Sequence, residues 1–206
     1  MAFDPKKDNI AITLSYMKLL KSSDIFFDGY SEPYVLSLAI DAENAKNPTL
    51  YYQTIPFPKV KEGGSVSIMG DGLLLYGPKN PGAFVTLSAL FMESDRDVRK
   101  MGGIINGIIS SQAAELGLKA AIAANPGSAI AIAIIKELAL YVSGALAKNG
   151  DDELFKIEGS FLRDQYSPYH VNHVYEYRNE YIGANINILP LKSGDDSTGE
   201  VNKIDL

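Results

Sequence analysis

Residues 9–19, NIAITLSYMKL, decide the fold class. Ile10, Ile12, Leu14 and Tyr16 recur at every second position, the side-chain period of a β-strand, so the stretch reads as a strand with those four residues on one face. The same period returns at 34–40 (YVLSLAI), 65–68 (SVSI) and 83–91 (AFVTLSALF), and again where Ile182, Ala184, Ile186 and Ile188 alternate with Gly183, Asn185 and Asn187. Further strands are expected at 49–56, 153–163 and 170–178, giving about eight in all. Turn signals stand between them: Asp28-Gly29, Asn47-Pro48, Gly63-Gly64, Asp71-Gly72, Gly77-Pro78 and Asn80-Pro81-Gly82. Strand following strand through short turns implies a mainly β chain, an antiparallel eight-stranded β-sandwich, rather than alternating βαβ units.

The middle of the chain breaks the period. Residues 98–148 turn to Ala, Ile, Leu and Gly without alternation, and Asn125-Pro126-Gly127 is a strong stop within them. Ser128 stands where an N-cap belongs, and Ile130, Ile134, Leu138 and either Tyr141 or Val142 follow at helical spacing, so 98–148 is expected to be a helical hairpin inserted between the sixth and seventh strands. Each arm is long enough to cross a bilayer of roughly 30 Å. Glu115 and Lys119 in the first arm and Lys136-Glu137 in the second argue instead for packing on the sandwich or on a neighbouring subunit, because charge at bilayer depth costs about 2.5–3.5 kcal/mol per residue. Residues 1–190 are therefore read as one β-sandwich domain carrying the insertion. The remainder, 191–206, contains GDDSTGE and is read as an acidic flexible tail unless a partner orders it.

With 206 residues, 46% hydrophobic and 21% charged, the chain has ordinary globular usage. Its formal net charge of -6 disfavours a phosphate-backbone binder, so no nucleic acid is expected as a partner. Absence of cysteine excludes disulfides, thiolate metal sites and cysteine nucleophiles. No apolar run follows Lys6-Lys7 as a signal peptide requires, so the chain is expected to be cytoplasmic at synthesis.

Two acidic stretches raise the question of a metal. The first runs from Asp24 through Asp28-Gly29-Tyr30-Ser31-Glu32 to Pro33-Tyr34-Val35, and the second is Glu93-Ser94-Asp95-Arg96-Asp97 followed by Met101-Gly102. Residues 9–102 resemble the C2 domains, calcium-dependent phospholipid-binding sandwiches in which an acidic residue precedes Pro-Tyr-Val and a later loop alternates acidic residues. Glu32 stands where that family usually has Asp, and the hairpin has no counterpart in it. The resemblance implies Ca2+ held by Asp28, Glu32, Glu93, Asp95 and Asp97, since several hard oxygen ligands on adjacent loops suit that ion. The residues alone also read as polar turns and a solvated helix start.

Other chemistry is sparse. His170 and His173, the only histidines, lie in an expected strand, where a spacing of three puts them on opposite faces and makes a shared metal ion improbable. Asp151-Asp152-Glu153 reads as a solvated turn after Asn149-Gly150, and Tyr166, Tyr169, Tyr175, Tyr177 and Tyr181 as packing or interface aromatics. No nucleophile elbow, Walker loop or dinucleotide fingerprint is present, so the chain is not expected to be an enzyme. The expected function is a non-catalytic binding or assembly module whose partner is a protein, above all itself. The alternative is a calcium-assisted membrane-binding or pore-forming protein using the apolar hairpin, with membrane lipid as the partner.

Overall fold

The structure is a computed structural model of the chain and describes residues 2–22, 30–42, 49–94, 103, 106–107, 109–111, 128–148, 150–191 and 202–205. Its strands are β1 (Asn9–Leu19), β2 (Tyr30–Ser31), β3 (Pro33–Asp41), β4 (Thr49–Pro56), β5 (Val60–Lys61), β6 (Ser65–Val66), β7 (Leu73–Lys79), β8 (Phe84–Glu93), β9 (Asp152–Leu162), β10 (Val174–Arg178), β11 (Ile182–Leu191) and β12 (Asn202–Asp205). One long helix, α1, spans Ser128–Ala147. The chain is mainly β, and its strands pair antiparallel throughout.

Two five-stranded sheets form the body. The first has the order β10-β11-β1-β6, with β7 also paired to β1; the second has the order β12-β4-β3-β8-β9. Between them lies a core to which β1 gives Ile10, Ile12 and Leu14, β11 gives Ile182, Ala184, Ile186 and Ile188, and β8 gives Val85, Leu87, Ala89 and Phe91. This arrangement is consistent with the β-sandwich expected from the alternating runs.

A third layer covers the second sheet. Ala131, Ile134, Ile135, Leu138, Ala139, Val142 and Leu146 form one face of α1 and pack on Tyr34, Leu36, Leu38 and Ile40 of β3 and on Leu90 and Met92 of β8. Full burial of a side chain such as Ile135 or Leu138 is worth about 1.5–3 kcal/mol, so the helix is integral to the domain. Every residue of β3 and β8 is consequently buried. Two of their small hydroxyls find partners inside, since Ser37 Oγ donates to the Leu75 carbonyl at 2.9 Å and the Thr86 and Ser160 hydroxyls lie 3.2 Å apart, whereas the buried Ser88 Oγ has no hydrogen-bond partner among the described residues.

Four sequence expectations change. Tyr16 does not share the face of Ile10, Ile12 and Leu14. The pairing of β1 with β11 shifts register between Leu14 and Tyr16, and this bulge at Ser15 turns Tyr16 outward while Met17 and Leu19 continue the core face. β7 was hidden in LLLYGPK, which has no alternation and ends in a Gly-Pro pair read as a turn; it buries Leu75 and Tyr76. The strand expected at 170–178 starts only at Val174, because Pro168–His170 makes a 3-10 turn. Within 191–206, read as a flexible tail, Leu191 ends β11 and Asn202–Asp205 pairs with β4 from Asn202↔Tyr52 to Asp205↔Thr49. The unpaired backbone along β4 gives this segment something to bond to. Of the expected hairpin, the second arm is α1; Gly103, Asn106, Gly107 and 109–111 are helical, and the rest of the first arm lies outside the described residues.

Candidate functional site

The two acidic stretches do meet at one end of the second sheet. Pro33 pairs with Glu93 across β3 and β8, and the Ser94 N–H donates to the Glu32 carbonyl at 3.3 Å. Of the proposed ligands, Asp28, Asp95 and Asp97 lie outside the described residues. Glu32 and Glu93 differ in setting. Glu32 reaches the Lys59 ammonium at 2.7 Å, and that hydrogen bond, with the charge behind it, holds Lys59 above its ordinary pKa. Glu93 is buried at the end of β8, opposite Asp152. Among the described residues no group of three or more His, Asp or Glu side chains is placed to hold a metal ion.

Beneath that end sits a polar cluster the sequence did not announce. Asp151, only 1% exposed, accepts the Tyr34 hydroxyl at 2.7 Å on one carboxylate oxygen and the Ser94 hydroxyl at 2.9 Å on the other. Its N–H donates to the Leu146 carbonyl at 3.2 Å, so one residue ties β3, the end of β8 and the last turn of α1 to the start of β9. Close by, the Ser143 hydroxyl of α1 donates to the Glu153 carboxylate. Asp151 is therefore not part of a solvated turn. Burial, then the hydrogen bond and charge of Asp151, push the Tyr34 phenol above its ordinary value, so Tyr34 serves as a donor. Both hydroxyls point into the carboxylate, an arrangement that clamps layers together. A local signal could not have found it, because Tyr34 and Asp151 are 117 residues apart.

The histidines are brought together by a route that strand geometry does not provide. Tyr169, His170 and Asn172 have positive φ (52°, 57° and 63°), and the resulting loop sets the His170 and His173 rings 6.1 Å apart, both against Tyr175. Tyr169 anchors the loop: its buried ring meets Phe3 edge-on, and its hydroxyl donates to the Pro5 and Gly82 carbonyls. The cost of left-handed backbone at non-glycine residues is thus met by a fixed aromatic plug.

On the opposite flank, α1 shows solvent a face that is mostly apolar or small. Ala133, Leu140, Tyr141 and Gly144 are exposed there, Leu140 by 66% and Tyr141 by 45%. Lys136 and Glu137 are the charged residues on this face, and Lys136 is paired with Glu158 of β9 at 3.6 Å. By length and composition Ala129–Ala147 would suffice to cross a membrane, with a mean hydropathy of 1.8. Here its other face is the lid of the second sheet.

In comparisons with known proteins, no family model, no curated protein and no solved structure matches the chain.

Proposed function

We propose that the chain is a non-catalytic binding and assembly module: a β-sandwich, C2-like in its first half, that associates with copies of itself through the outward face of α1. The observation that carries this reading is the composition of that face. A helix closing a monomeric domain ordinarily turns charged residues to water, whereas α1 turns out Leu140 and Tyr141 between Ala133 and Gly144. Small residues flanking two large apolar ones let a second helix approach closely, and a large exposed apolar patch marks interaction surfaces. The C2-like part of the proposal is supported by the meeting of the two acidic stretches at one end of the second sheet. The buried Tyr34–Asp151–Ser94 cluster fits a structural role, since its donors and acceptor are used up internally.

The test is sedimentation velocity on the full chain and on a Leu140→Glu/Tyr141→Glu variant. The proposal expects a concentration-dependent shift to larger species that the variant abolishes, with the far-ultraviolet spectrum unchanged. Equal sedimentation of the two proteins over the whole concentration range would sink it.

A further inference from the structure

Past the bulge at Ser15, the outward positions of β1 stand in register with those of β11 and β10. Tyr16 is opposite Asn185, which is opposite Glu176; Lys18 is opposite Gly183, which is opposite Arg178. These two rows, each three strands wide, line one open groove of about 380 Å3 on the outer face of the first sheet. At about 4.8 Å between neighbouring strands, the Lys18 and Arg178 backbones lie roughly 10 Å apart with Gly183 midway.

Nothing in the backbone demands glycine at 183. Its φ is not positive, and a Cβ built there would meet no atom within 4 Å. A strand-interior glycine costs about 0.5–1 kcal/mol relative to alanine. What it provides is an open floor between two cations. None of the ion pairs among the described residues involves Lys18 or Arg178. The second row is of another kind: Glu176 offers only acceptors, Asn185 a donor and an acceptor, and Tyr16, 38% exposed, an aromatic ring at the margin.

We propose that this groove binds a carboxylated saccharide. The carboxylate sits over Gly183 between Lys18 and Arg178, hydroxyls meet Asn185 and Glu176, and the apolar face of a sugar ring rests on Tyr16. A guanidinium and an ammonium on opposite sides suit a single carboxylate. Glu176, one row away, repels a polyanion such as a nucleic acid and welcomes hydroxyl donors. A ligand that joins one negative charge to many hydroxyls satisfies both rows. The bulge is what makes the site: without it Lys18 and Tyr16 would face the core.

The test is calorimetric titration of the full chain with aldotetraouronic acid and sialyllactose, each with a single carboxylate, against neutral cellotetraose, acetate and a tetraglutamate peptide. At least one carboxylated saccharide is expected to bind at least about tenfold more tightly than cellotetraose, acetate and the peptide, a difference of about 1.4 kcal/mol. Gly183→Val, a change the strand accommodates, is expected to leave the melting temperature unchanged or raised and to weaken binding by at least tenfold. The Lys18→Ala/Arg178→Ala double variant should lose binding as well, an independent check should Gly183→Val fold poorly. Failure of both acidic saccharides to bind, equal binding of wild type and the double variant, or tighter binding of the peptide than of either saccharide would each overturn the proposal.

Discussion

Replacing Asp151 with alanine is the most informative single change to the interior. Its carboxylate is the shared acceptor for Tyr34 and Ser94, at 2.7 and 2.9 Å, and it is 1% exposed. Asp151→Ala leaves two buried hydroxyls with a lost partner, each at about 1–3 kcal/mol, so the expected loss is about 4 kcal/mol. For a chain of this length that corresponds to a fall in melting temperature of roughly 8–16 °C. Tyr34→Phe removes one of the two bonds to the carboxylate and should cost about 1.5–3 kcal/mol. Asp151→Asn keeps one acceptor and should fall between wild type and the alanine variant. Urea unfolding followed by circular dichroism measures all three, with an unchanged m-value required for the comparison. An Asp151→Ala loss below about 1 kcal/mol would mean that water replaces the carboxylate and that the cluster does not clamp the layers.

Two further perturbations follow from the same structure. Burial pushes the Tyr169 phenol up to about 12, and Tyr34 is raised in the same sense. The unfolded chain ionises its tyrosines near pH 10 while the folded one resists, so this stability is complete below about pH 10 and is lost as the pH climbs toward about 12. Urea midpoints measured from pH 8 to 12 should fall more steeply for wild type than for Tyr169→Phe; parallel curves would place the alkaline loss elsewhere. Deleting Ser15 removes the bulged residue and leaves Leu14 and Tyr16 as consecutive inward and outward positions opposite Ile186 and Asn185, so Met17 and Leu19 still face the core; deleting Ser15 and Tyr16 together reverses the phase, turning Met17 and Leu19 outward and Lys18 inward. The single deletion should fold by circular dichroism, while the double deletion should be insoluble or unfolded; a folded double deletion beside an unfolded single one would contradict the assigned register.

The β character of the chain was readable because strand residues such as Ile182, Ala184, Ile186 and Ile188 keep a strict period of two. The third layer was not readable from the strands. Thr86 and Ser88 look like water-facing positions by polarity, yet both are buried in phase with Phe84, Leu90 and Met92 on the face α1 covers, where small hydroxyls tolerate a helix overhead. Tyr16 was misplaced because a bulge is a one-residue event with no compositional mark, and β7 because a fully apolar run carries no period. The candidate sites were less legible still. Gly183 and Lys18 acquire meaning only through register with Arg178, and Asp151 only through residues 57 and 117 positions away. The tail was judged by its acidic GDDSTGE run, while the part that pairs with β4 is the NKID beyond it.

The most direct measurement of the assembly reading is light scattering of the full chain across a hundredfold concentration range at physiological salt. The account predicts a mass that rises above the 22.4 kDa of one chain and that returns to it when Leu140 and Tyr141 are both replaced by glutamate. A constant mass of one chain at every concentration would contradict it.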